Sequence, residues 1–201
     1  MEFAEVIRKR RMVRAFTSEP LAPGVEQRLL TAANRAPSAG FSQGYALLVL
    51  NQPAQLRPFW DLLAADEQPP GAPDFDPVTN APLVIVPMSC KDMYLDRYAR
   101  QDKGWADRDE SRWPVPYWDI DTGFMALLML LASVDEGLGA LFFGIPPALI
   151  PRLRAEFGVP DAYLPIGAVA VGHPDPRRDQ GGSSRVIKRK DLSELVHHGR
   201  W

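Results

Sequence analysis

The chain has one cysteine, Cys90, and three histidines, His173, His197 and His198, in 201 residues. A single cysteine excludes an internal disulfide framework and any cysteine-rich zinc or iron–sulfur site. So few histidines argue against a His-ligated metal or a Ser-His-Asp triad, and no metal site is expected. An excess of one charge is also missing. The formal net charge is −2, without the basic field that duplex nucleic-acid binders carry. Neither G-x-G-x-x-G nor G-x-x-x-x-G-K-[ST] occurs, so neither a dinucleotide fingerprint nor a P-loop is present. The longest apolar run, 124–134, is about half of what a bilayer requires. Residues 1–13 carry charges from position 2 and no apolar h-region. The expectation is a cytoplasmic protein with no membrane or nucleic-acid partner.

Proline is plentiful, at 20 residues, about twice the usual share. With 46% hydrophobic and 24% charged residues, the composition suits one globular domain over 1–201. Apolar spacing predicts helices at 2–10, where Phe3, Val6 and Ile7 share a face, at 21–35 and at 55–65. Strands are expected at 45–50, 82–88, 140–143 and 166–171. The stretch 66–82 reads as a loop, and 91–118, rich in Tyr and Trp, as a loop or lid. Residues 119–136 are apolar nearly all round and predict a helix buried on most sides. Asp119 or Asp121 is its expected N-cap and Gly137 its C′ residue. A helix at 148–157 and a polar, basic tail beyond 173, extended over 181–201, complete the chain. Two helices before any strand fit a doubly wound sheet badly, so the class is α+β or α/β with helices covering one sheet.

Candidate chemistry sits in four places. Arg8-Lys9-Arg10-Arg11-Met12-Val13-Arg14 has five basic residues of seven. It is either a solvated helix end or a phosphate site made of guanidinium forks. Arg185-Val186-Ile187-Lys188-Arg189-Lys190 is a second basic run, either a solvated tail or a partner of the first. The small-residue stretch 37–45 is either a plain turn or a ligand-lining loop. Phe143-Gly144 ends a strand where a glycine admits close approach of a flat ring.

Taken in order, these features resemble the nitroreductase family of flavoproteins. Arg10-Arg11-Met12-Val13-Arg14-Ala15-Phe16 is similar to that family's R-R-S-x-R-x-F. The stretch 36–45 is similar to its A-P-S-A-G-N-x-Q-P-W, and 121–139 to its long central helix ending in G-L-G. The stretch 165–174 resembles its last strand, and 188–201 its R-K-P-L-E-E-V-V-H-x-x-R-W tail. The resemblance implies an α+β fold with a central mixed, mainly antiparallel sheet and a long buried dimerisation helix. It implies a homodimer with FMN at the interface, and two-electron transfer from NAD(P)H to a small organic acceptor such as a nitroaromatic or quinone, in ping-pong order. By that similarity Arg10, Arg11, Arg14 and Arg189, with Met12 and Lys188 beside them, bind the FMN phosphate and ribityl chain. Pro37, Ser38 and Ala39 line the flavin with Gln43 nearby, and Phe143 and Gly144 lie by its ring. No catalytic side chain is identified. Three positions depart from the pattern: Met12 for Ser, Phe41 for Asn, and Gly44-Tyr45 for Pro-Trp. The wording around Phe41 also resembles the flavin-destructase branch, which cleaves reduced FMN to a benzimidazole. That branch has Asp where Met12 stands. A non-redox ligand-binding member of the fold is the remaining alternative. The aromatic stretch 91–118 is expected to cover the site and set acceptor choice.

Overall fold

The computed structural model of the chain describes residues 1–64 and 76–201. A five-stranded sheet runs through the centre. Its strands are β1 (Tyr45–Leu50), β2 (Leu83–Ser89), β3 (Gly139–Phe143), β4 (Leu164–Pro165) and β5 (Ala168–Gly172), in the order β1-β2-β5-β3, with β4 also on β2. All of these pairings are antiparallel. One isolated parallel bridge, Met12 to Ala140, adds the N-terminal strap to the β3 edge. The helices are α1 (Phe3–Lys9), α2 (Val25–Ala33), α3 (Pro53–Ala64), α4 (Lys91–Tyr98), α5 (Tyr117–Asp135), α6 (Ile150–Phe157) and α7 (Leu192–Leu195).

Every residue of β2 is buried, because helices cover both faces of the sheet. Leu83 and Ile85 point into a core with Leu29 of α2 and Met125 and Met129 of α5. Val84, Val86 and Met88 point the other way, to Phe59 of α3 and Leu153 of α6. This alternation is the period-two consequence of the pleat. The strand expected at 166–171 starts only at Ala168, as β5, and the two residues of β4 lie just before the expected range. Pro87 has no N–H to give the neighbouring strand, and at that level the chain bulges through Ile166 and Gly167. The Ile166 N–H donates to the Pro87 carbonyl. Gly167 has φ +151°, and a Cβ there would fall 2.6 Å from the Phe142 ring.

Helix α5 departs from expectation twice. It begins at Tyr117, two to four residues before either predicted N-cap, and Pro116 precedes it without a capping side chain. Asp121 is thus an interior helix residue, and it is buried. Nor is α5 buried on most sides. Met125, Ala126, Met129 and Leu130 pack inward, whereas Ile120, Phe124 and Leu127 form an exposed stripe, Phe124 at 40%. By length and composition α5 would suffice to cross a membrane, but here its inner face packs on α2 and the sheet. On α1 only Val6 is buried, with Phe3 (71%) and Ile7 exposed beside α5. Gly137 follows the helix in the left-handed region, as expected of a C′ glycine.

The predicted loop at 66–82 falls partly outside the described residues. The segment 91–118 is not all loop, because it opens as α4. Beyond α4 it folds back around Trp113, whose ring meets those of Tyr94, Tyr98, Trp105, Tyr117 and Trp118. Ion pairs rim this aromatic cluster: Lys91–Glu110, Arg97–Asp102, Arg108 with Asp92 and Asp96, and Arg112–Asp107. Exposed pairs are individually weak. The ring contacts, with Tyr94 and Trp118 buried and the others half-buried, supply most of the packing energy here.

Candidate active site

After α1 the chain runs extended beside β3. The Val13 N–H donates to Ala140, Thr17 to His173, and Asp175 back to Ala15. Val13 and Ala15 turn into the core. Alternation therefore places Arg10, Met12 and Arg14 together on the opposite side. The chain end returns to the same place after β5. A cavity of about 510 Å³ opens between the two segments, with Arg10, Arg11, Arg14, Arg185 and Arg189 all in its wall. Met12, Ser183 and Ser184 contribute as well, and Leu127 and Leu130 of α5 form an apolar side.

Asp179 pins the two ends together. Its side chain is 2% exposed, and Arg11 lies 3.5 Å from its Oδ2. Its Oδ1 accepts the Gly181 N–H, and its backbone carbonyl accepts Arg185. Oδ2 itself has no hydrogen-bond donor among the described residues. Gly181 and Gly182 are contact points rather than a hinge. A Cβ on Gly182 would sit 2.6 Å from the Arg14 guanidinium, and one on Gly181, at φ +72°, would sit 2.2 Å from Arg185 Nε. Five guanidinium groups against one carboxylate leave the cavity strongly positive, suited to a dianion such as a phosphate monoester.

The other expected site residues lie elsewhere. Lys188 is exposed and is not in the cavity wall. Phe143 stacks on Trp60 at 5.8 Å and packs edge-on to Phe59, on the α3 side of the sheet. Gly144 is exposed, and a Cβ there would meet nothing within 4 Å among the described residues. Pro37, Ser38, Ala39 and Gln43 are absent from the arginine cavity. They belong to a tight loop in which Gly40, Phe41 and Gln43 all adopt left-handed conformations. For Phe41 and Gln43 this is uncommon, and such strain concentrates at functional sites.

Several bonds hold this loop. The Gln43 N–H donates to Ser38 Oγ, the Ser42 hydroxyl to the Ala39 carbonyl, and Arg97 Nε to the Gly40 carbonyl. The strongest clamp is Asp121, the residue expected as a cap. Its Oδ2 accepts the Ala39 N–H at 2.8 Å and the Tyr94 hydroxyl at 2.7 Å. The loop also rests on the aromatic cluster. A Cβ at Gly40 would lie 2.6 Å from the Tyr98 ring, and one at Gly44 2.6 Å from the Tyr94 ring. The Tyr94 ring and the Cys90 carbonyl occupy the space that a side chain at position 44 would need.

Burial, then the hydrogen bond to Asp121 and its charge, hold the Tyr94 phenol well above the ordinary tyrosine range. The folded value is the raised one. Its stabilising contribution is therefore complete below about pH 10 and declines as pH rises beyond that. Urea midpoints measured between pH 8 and pH 11.5 should fall at the alkaline end. Tyr94→Phe should flatten that fall by up to about 1.4 kcal/mol per pH unit. An unchanged slope would mean that Tyr94 ionises like a solvated phenol.

Comparison with known proteins bears on the fold and the family. An NADPH-dependent oxidoreductase of Staphylococcus aureus is 24% identical over 197 residues, covering 98% of this chain and 72% of its own. A nitroreductase family protein from Clostridium difficile superposes with a TM-score of 0.72 at 22% identity, over all of both chains. A nitroreductase from B. subtilis gives 0.74 at 19% identity, over 98% of this chain and 74% of its own. These likenesses establish the fold. The nitroreductase family model itself matches residues 7–173, from within α1 to just past β5, and this chain belongs to that family.

Proposed function

We propose that this protein is an FMN-dependent oxidoreductase. It passes two electrons from NAD(P)H to a small organic acceptor such as a nitroaromatic or quinone. The observation that carries the reading is the convergence of Arg10, Arg11, Arg14, Arg185 and Arg189 on one cavity. The charge there suits a single terminal phosphate, and the sequence has no dinucleotide fingerprint, which favours FMN over FAD. The residues fit the group. Gly181 and Gly182 leave room for the two arginines that press on them, and the buried Asp179 carboxylate, 3.5 Å from Arg11, anchors that arginine beside the cavity. When bound, FMN supplies the hydride chemistry, and the protein supplies position and electrostatics.

Within one chain, the arginine cavity and the Pro37, Ser38, Ala39 and Gln43 loop line different surfaces. A homodimer reconciles them, with the arginines of one subunit and the loop of its partner meeting at the α5 stripe. Leu127 belongs both to that exposed stripe and to the cavity wall. Asp121 and Tyr94 then fix the loop that faces the ring, and the aromatic cluster excludes water behind it.

Anaerobic addition of NADH or NADPH to the flavin-loaded protein should bleach the flavin, and a nitroaromatic or quinone should restore the colour. A flavin that stays oxidised with both nucleotides would refute the reductase reading. Met12 gives no carboxylate where the destructase branch has one, so reduced flavin should survive oxygen without forming a benzimidazole. Arg14→Ala should weaken FMN binding by about 1.5–3 kcal/mol, the loss expected for a charge-assisted hydrogen bond. Equal affinity in a folded variant would place Arg14 outside the phosphate site.

A further inference from the structure

A second cavity, of about 500 Å³, lies between the 38–43 loop and the end of α4, with Phe41, Gln43, Met93, Asp96, Arg97 and Arg100 in its wall. Its volume is in the range of small-ligand sites. The charges around it are nearly all matched. Arg97 is held by both oxygens of Asp102 and by the Gly40 carbonyl. Asp96 is paired with Arg108 at 3.0 Å. Arg100 is the exception, since its guanidinium has no hydrogen bond or ion pair among the described residues. The apolar part of the wall is the Phe41 ring, 72% exposed and held outward by a left-handed backbone, together with the partly exposed Met93 thioether. A large aromatic ring that the single chain leaves uncovered on a strained backbone, in one cavity wall with an uncompensated cation, matches a planar ring that bears an anionic group.

We propose that this cavity is a specificity site for aromatic acids. Phe41 and Met93 contact the ring, Arg100 pairs with the carboxylate, and the tethered Arg97 keeps the loop in register. The proposal rests on the reading above that the 38–43 loop faces the flavin, and it names the acceptor class of that same site. It also accounts for the departure of Phe41 from the family's asparagine.

Two measurements test it on the flavin-loaded protein. The first is the ratio of kcat/KM for 4-nitrobenzoate to that for nitrobenzene, in the wild type, Arg100→Ala and Arg100→Lys. The ratio should fall about tenfold in Arg100→Ala and recover most of the loss in Arg100→Lys. An unchanged ratio in Arg100→Ala would overturn the proposal. The second is calorimetric titration with benzoate, which cannot be reduced. It should bind the wild type at millimolar or lower concentration and bind Arg100→Ala about tenfold more weakly. No binding to the wild type, or equal binding to both, would overturn the site even if the enzyme reduces nitro compounds. Benzoate binding that depends on Arg100 in a protein that reduces neither compound would keep the site and reject the oxidoreductase reading.

Discussion

Asp121→Ala is expected to destabilise the fold by about 2–6 kcal/mol, because two donors lose their acceptor at once and each costs about 1–3 kcal/mol when left unsatisfied. The Tyr94 hydroxyl is fully enclosed, and the Ala39 N–H is partly so. Asp121 Oδ2 is the acceptor of both in the folded chain. Asp121→Asn keeps an acceptor oxygen in the same place and should recover more than half of the loss. Tyr94→Phe removes one donor and leaves the other bond intact, so it should cost less than Asp121→Ala. Urea unfolding of the three variants checks the order. Equal stability of Asp121→Ala and the wild type would mean that the clamp forms no net interaction. The same variant should lose flavin more readily than its stability alone explains, since Ala39 belongs to the proposed ring-lining loop.

The second large effect concerns the α5 stripe. Phe124 is exposed in the isolated chain yet sits between Ile120 and Leu127 on the same face. Phe3 and Ile7 of α1, also exposed, lie alongside, and contiguous apolar surface of this kind marks sites of protein contact. The tail adds Val186, Ile187, Leu192, Leu195, Val196 and Trp201, all exposed. In a two-fold dimer Phe124 occurs twice, so Phe124→Glu acts twice. At about 1.5–3 kcal/mol for each buried ring, the dissociation constant should rise roughly 150-fold or more. Light scattering at low micromolar concentration should give twice 22.4 kDa for the wild type and 22.4 kDa for the variant. FMN should shift the variant back toward the dimer by mass action. A wild-type monomer that binds FMN normally would place the whole site within one chain.

Much of the architecture was legible where one periodicity dominates. Leu83 to Val86 read as a buried strand, Phe124 to Leu131 as a long helix, and Gly137 as its stop, each from local pattern alone. Legibility failed where a distant residue decides. The strand expected at 166–171 starts late because the chain bulges where Ile166 meets Pro87 of β2, a partner far away in sequence. Asp121 looked like a helix cap because Asp near a helix start usually is one. Its burial follows from Tyr94 and Ala39, 27 and 82 residues away in sequence. The two basic runs were visible separately, but the cavity between them exists only once β3 and β5 bring both chain ends together. Gly181-Gly182 gave no sign of its role, because the side chains that require it, Arg14 and Arg185, approach through the fold. In the sequence nothing separates Arg185 from the rest of its basic run, although it lines the cavity from which Lys188 is absent.

The central claim is that the arginines at the two chain ends receive the single terminal phosphate of FMN. The direct measurement is the identity and amount of flavin released on denaturation, separated chromatographically after loading with an equal mixture of FMN and FAD. FMN should be recovered at about one per chain with little FAD, and Arg14→Ala should lose most of its bound FMN. Recovery of mainly FAD, or of no flavin at all from a folded protein, would contradict it.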